Sequence, residues 1–171
     1  MAEELKPNSN LSLKELIKQE YLRCAQDPVY FAKKYYYIQH PIKGRMLFGL
    51  YGFQEVMMMK FTKEEDAIIN KSRQLGISTL ISCYSLWLML FHKDKNILVL
   101  ATSQKKKKNL ITKVRFSYEQ LPSWMRLKTT ENNKLLLKLI NGSQIQAKSA
   151  TDNAARSEAV SLLVIDEAAF I

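Results

Sequence analysis

Leu162-Leu163-Val164-Ile165-Asp166-Glu167 reads as a buried strand that runs into a site. Buried parallel strands are continuous apolar runs, because both faces are covered. In open α/β sheets, ligands gather at the carboxyl ends of the strands. An aspartate at such an end is a ligand for Mg²⁺, and a glutamate beside it orients and deprotonates a water. The same letters also fit a strand entering a helix whose first turn carries acids, which the helix dipole favours. A second stretch, far upstream, bears on the choice.

That stretch is Lys71-Ser72-Arg73-Gln74-Leu75-Gly76-Ile77-Ser78-Thr79. It follows the short apolar run Ala67-Ile68-Ile69, read as a strand, and opens a long apolar helix from Leu80 to Phe91. Strand, tight loop and helix form the setting of a phosphate-binding loop. The helix start offers unpaired N–H groups and positive dipole to an anion. Gly76 lets the backbone approach the phosphates, and Ser78 or Thr79 supplies a hydroxyl for Mg²⁺. The loop departs from the pattern G-x-x-x-x-G-K-[ST]. Ile77 stands where the lysine belongs, and Lys71 stands where the first glycine belongs. Lys71 and Arg73 are the two cations able to substitute. The alternative is a loop that binds nucleotide weakly or not at all.

Ser72-Arg73-Gln74-Leu75-Gly76, taken with Ile165-Asp166-Glu167-Ala168-Ala169-Phe170, resembles the ATPase domain of the large terminase subunit of tailed bacteriophages. The resemblance runs from about Tyr35 to Ile171. Some terminases carry the loop lysine at the start, as Lys71 does here, and Arg73 matches the family's loop arginine. Leu50-Tyr51-Gly52-Phe53-Gln54 resembles the family's adenine-recognition motif, in which a glutamine amide pairs with the base and an aromatic neighbour stacks on it. A solvent-exposed glutamine at a helix start is the plainer reading of Gln54. Arg156 stands where the family often has an arginine that reaches a γ-phosphate; a surface arginine is the alternative.

The resemblance implies ATP and Mg²⁺ as cofactors. It places Gln54, Lys71, Ser72, Arg73, Gln74, Leu75, Gly76, Ile77, Ser78 and Thr79 at the nucleotide, Ser78 and Asp166 on the metal, and Glu167 and Arg156 in catalysis. It implies translocation of double-stranded DNA into the procapsid, with the portal protein and the small terminase subunit as partners, in a ring on the portal in the host cytoplasm. Two other readings stay open. One is a superfamily-2-like helicase; the other is a nucleotide-binding or assembly fragment without turnover.

The chain has 171 residues and a net charge of +10, which suits a polyanionic partner such as DNA and is equally compatible with solubility. Its two cysteines, Cys24 and Cys83, are too few for a disulfide framework, and His40 and His92 lack the company of a zinc site. The apolar run Leu80 to Phe91 is too short to span a bilayer, so no membrane role is expected.

The remaining elements follow from pattern. Ser12 caps a helix from Leu13 to about Cys24, with Glu15 as its capping-box partner and Leu13, Leu16, Ile17, Tyr21 and Leu22 as the apolar stripe. Asp27-Pro28 starts a second helix that carries Tyr30, Phe31, Tyr35, Tyr36 and Tyr37 and ends before His40-Pro41. Residues 46–51 are extended and lead to a Met-rich helix. Asn96 to Ala101 is a buried strand, and Gln104 to Gln120 a helix with Leu110, Val114, Tyr118 and Leu121 inward. That helix opens on Lys105-Lys106-Lys107-Lys108, either a solvated face or a DNA-facing patch. Leu135 to Ile140 and Ser143 to Ala150 flank Asn141-Gly142 as a hairpin with a type I′ turn.

The fold expected is therefore α/β and P-loop NTPase-like. A mainly parallel sheet is flanked by helices and carries an antiparallel hairpin, with a helical lead-in over 1–40 and the ATPase domain over 41–171. A sheet ending at Leu162 to Ile165 lacks neighbours, so the chain reads as a piece of a longer protein. The resemblance puts the rest of the ATPase and a nuclease domain beyond it.

Overall fold

A computed structural model describes residues 12–72, 74–101, 104–149 and 159–165. Arg73, Arg156, Asp166 and Glu167 lie outside the described residues. The elements in chain order are α1 (Leu13–Gln26), α2 (Pro28–Tyr35), β1 (Tyr37–His40), β2 (Gly44–Leu47), α3 (Gly52–Phe61), α4 (Ile77–Phe91), β3 (Asn96–Ala101), α5 (Gln104–Gln120), β4 (Thr129–Asn133), β5 (Leu136–Leu139), β6 (Gln144–Ser149) and β7 (Leu162–Ile165).

Five strands form the main sheet in the order β4-β5-β6-β3-β7. β3 lies parallel to both β6 and β7, whereas β5 is antiparallel to β4 and β6. The sheet is thus mixed rather than mainly parallel. The extra antiparallel strand is β4, whose Thr129–Asn133 sequence is polar and exposed throughout and gives no strand signal. The register aligns Ile97 with Ile145, and Val99 with both Ala147 and Val164. These side chains, with Leu137 and Leu139, turn to one face and join the core beneath α4 and α5. Leu163 and Ile165 turn to the other face and stay about half exposed. β7 is therefore not the fully buried strand its letters suggest: among the described strands only β3 lies beside it.

Ala67-Ile68-Ile69 also differs from expectation. The segment is not a strand, and Ile68 is fully exposed. A strand needs a partner for its backbone N–H and C=O groups, and no described strand runs alongside this one.

The lead-in begins as its caps require. Ser12 N–H donates to Glu15 Oε2 at 2.7 Å and Ser12 Oγ accepts from Glu15 N–H at 3.4 Å, while Asp27 Oδ1 accepts from Val29 and Tyr30 N–H. The stripe drifts, however: Leu13 and Leu22 are exposed and Cys24 is buried instead. α2 stops at Tyr35, before Tyr36 and Tyr37. Tyr36 is buried, and Tyr37 opens the β1–β2 hairpin with its N–H donating to Ser117 Oγ of α5 at 3.0 Å. Tyr30 and Tyr35 both donate to Glu20, and Phe31 is buried, so the aromatic crowd is a packing face.

α4 is held at its far end by the β5–β6 turn. Asn141 Nδ2 donates to the carbonyls of Met89 and His92, and Ser143 Oγ donates to that of His92. These bonds satisfy carbonyls that a helix end leaves without partners. The turn itself has a positive φ at Gly142 alone (+83°), not at Asn141. With Gly142 N–H donating to Leu139 O, this is a three-residue turn ending in a left-handed glycine rather than type I′.

Candidate functional site

The site is built where α4 begins. α4 runs back to the start of β3 through a short connection, so its first turn lies toward the end of the sheet at which β3 finishes. β7 is parallel to β3 and finishes at that same end. The described loop residues at the start of α4 therefore lie toward the end of the sheet at which β7 finishes.

Two residues of the loop take left-handed backbone, Gln74 (φ +66°) and Gly76 (φ +71°). A non-glycine residue in that region is strained, and such strain persists where the surroundings enforce it, often at ligand clamps. Gly76 is the N-cap of α4, and no side chain caps the helix. Its carbonyl accepts from Thr79 and Leu80 N–H at 3.0 Å each. The start of α4 thus presents backbone amides and positive dipole without a side-chain acceptor of its own, which is the chemistry an anion needs. Lys71, Ser72 and Gln74 are exposed, while Gly76, Ser78 and Thr79 are half-buried.

Ile77 is 3% exposed. The position that carries the lysine in the usual loop pattern here points into the core, and its side chain is an apolar anchor for α4. Gln54 is 1% exposed, which removes the solvent-exposed reading. Its Oε1 accepts from Tyr51 N–H at 3.0 Å and its Nε2 donates to Leu75 O at 2.9 Å, so it braces the loop against α3. Nearby, the rings of Tyr51 and Phe53 stack at 5.8 Å and are largely exposed. α3 is tied to α4 again at its other end, where Tyr84 Oη donates to Phe61 O at 2.7 Å.

A cation absent from the sequence reading stands at this site. Lys113 Nζ, from α5, donates to Thr79 Oγ1 at 3.0 Å. The only hint in the sequence is that Lys113 borders the inward stripe of Leu110, Val114 and Tyr118; which helix it faces is decided by the fold.

The brace makes Gly76 intolerant of a side chain. A Cβ there would come 2.8 Å from Gln54 Nε2, on a backbone with φ +71°. Gly76→Ala is expected to lower stability by about 1–2 kcal/mol from the backbone conformation alone. A urea unfolding curve indistinguishable from the parent's would show that the loop does not hold this conformation.

Among the described residues no cluster of three His, Cys, Asp or Glu could hold a metal. The Ser78 hydroxyl is the described part of the proposed Mg²⁺ site, and the left-handed cradle at the head of α4 fits a phosphate group. No described helix is long and apolar enough to cross a membrane.

Residues 68–171 match the family model described as terminase large subunit, T4likevirus-type, N-terminal. The chain belongs to this family of large terminase subunits. Among solved structures, the large terminase of bacteriophage HK97 superposes with a TM-score of 0.66 at 17% sequence identity, over 82% of this chain and 30% of that one. At that identity the likeness concerns the fold. The chain spans less than a third of the HK97 protein's length.

Proposed function

We propose that the chain is the ATP-binding and hydrolysing part of a large terminase subunit, and that in the whole protein it powers the movement of double-stranded DNA into the procapsid. One observation carries the reading. The uncapped, left-handed turn at the head of α4 lies toward the end of the sheet at which β7 finishes, and Asp166-Glu167 are the next two residues in the sequence. Backbone amides from Gln74 to Ile77 take the phosphates, with Lys71 and Arg73 as the loop's cations. Ser78, with Thr79 beside it, and Asp166 hold Mg²⁺, which supplies charge neutralisation at the phosphates when bound. Glu167 orients the water, and Arg156 stabilises the γ-phosphate. Gln54, buried with both ends of its amide bonded, sets the loop's position rather than pairing with adenine directly, and the exposed rings of Tyr51 and Phe53 are available for stacking on the base. Work of this kind is positioning and electrostatics, with little covalent chemistry for the protein to perform. The net charge of +10 favours DNA as the polyanion.

Binding of a fluorescent ATP analogue to the chain tests the reading. Lys71→Ala and Arg73→Ala are each expected to weaken it, with the larger loss, about tenfold, for Lys71 as the cost of one charged hydrogen bond. A parent chain that takes up no analogue overturns the nucleotide site, and equal affinity in Lys71→Ala and the parent overturns the role of Lys71. In the intact subunit, translocation on duplex DNA without strand separation distinguishes a packaging motor from a helicase.

A further inference from the structure

Beside the loop, the amide that could tell one nucleobase from another is buried, and what stands exposed is aromatic. Gln54 is 1% exposed, with Oε1 accepting from Tyr51 N–H at 3.0 Å and Nε2 donating to Leu75 O at 2.9 Å. A carboxamide has a donor and a lone pair beyond those two bonds, but a side chain so buried presents neither to a base edge. Swinging it outward would break bonds whose partners are then left unpaired, at a cost comparable to what a base contact returns. The same amide joins the backbone of Tyr51 to that of Leu75 and so sets the start of α3 against the loop. There the rings of Tyr51 and Phe53 lie nearly parallel, 9° apart in plane with centroids at 5.8 Å, and are 64% and 43% exposed. Two rings held parallel in solvent make a flat platform of the kind on which bases stack, and stacking accepts any base because every base has a π face. Adenine and guanine differ at one edge, an amine donor at N6 against an acceptor at O6. Only a fixed donor or acceptor reads that difference. The Tyr51 hydroxyl is not one, since it turns to donate or to accept.

We infer that the nucleotide site holds its base by stacking on Tyr51 and Phe53, and that it takes purine nucleoside triphosphates without telling adenine from guanine. Recognition then resides in the phosphate chain, and the base adds affinity but no selectivity between the two purines. A site built to hydrogen-bond its substrate rejects the wrong one by orders of magnitude, whereas an apolar surface discriminates weakly. This inference rests on the nucleotide reading of the loop.

The test is binding of ATP and GTP analogues that carry their fluorophore on the ribose, away from the base. In the parent chain the two affinities are expected to agree within about threefold. Tyr51→Ala combined with Phe53→Ala should weaken both by the same factor, about tenfold, the size of one lost stack. Inorganic tripolyphosphate has no base, so its own affinity, read by competition, should be the same in the parent and the double variant. Thermal unfolding of each protein reports the fold. Should the double variant not fold, Phe53→Ala alone takes its place. A preference of about tenfold or more for the ATP analogue in the parent overturns the inference and leaves the site intact. Parent-like nucleotide affinity in the ring variant does the same, as does an equal loss for tripolyphosphate. A parent chain that binds neither analogue overturns the site itself, and the inference with it.

Discussion

Replacing Glu167 by alanine in the intact large subunit is expected to lower the steady-state rate of ATP hydrolysis by at least about a hundredfold, with affinity for ATP changed by no more than about threefold. The split follows from the role proposed. A carboxylate that orients and deprotonates water acts as the bond to the γ-phosphate breaks, so its loss is felt in the transition state and hardly in the bound ground state. The topology supports that assignment. β7 is parallel to β3, with Leu100 aligned to Ile165, so β7 ends at the side of the sheet toward which the head of α4 is turned. Asp166 and Glu167 are the next two residues. Asp166, proposed on the metal, should behave differently, since its loss weakens Mg²⁺-dependent binding as well as turnover. Hydrolysis by Glu167→Ala at the parent's rate would leave a nucleotide-binding part without turnover as the better description.

Much of this arrangement was legible in the letters, and the failures have a common origin. α5 runs over Gln104–Gln120 as its stripe requires, and β3 over Asn96–Ala101 as its apolar run requires. In both, the local pattern and the packed environment agree. The same holds for the capping box at Ser12 and for the glycine at the head of α4. What the pattern missed depends on partners distant in the chain. β4 is polar and is a strand because β5 lies beside it. Ala67-Ile68-Ile69 is apolar and is not a strand because no described strand pairs with it. Tyr37 leaves the helical pattern for a hairpin pinned to Ser117, eighty residues on. The site shows the same division. The loop and its glycine could be read directly, whereas the inward turn of Ile77, the burial of Gln54 and the arrival of Lys113 are products of α3 and α5 closing on α4.

The lead-in helices are part of the same packed body, and Phe31 measures how firmly. Its side chain is 0% exposed, and its ring meets Phe91 edge-on at 5.6 Å and Tyr35 at 6.5 Å. Phe91 is the last residue of α4, and its ring meets Tyr21 of α1 at 5.0 Å. One turn earlier, Trp87 Nε1 donates to Cys24 O at 2.8 Å, a buried bond between α4 and α1. Phe31→Ala would therefore open a cavity where α1, α2 and α4 converge, and it is expected to lower the free energy of unfolding by about 3–5 kcal/mol. Phe31→Leu, which keeps most of the volume, should cost far less. Because the ring is buried in a core that runs from the lead-in to the sheet, the parent should lose helix and tryptophan signals in one transition, Trp87 and Trp124 reporting together with the backbone. A loss below about 1 kcal/mol for Phe31→Ala would be the cost of a half-exposed contact rather than a core one. Separate transitions by the two probes would mean that the lead-in folds apart from α4, and that the far end of the site's own helix is held by the β5–β6 turn without help from α1 and α2.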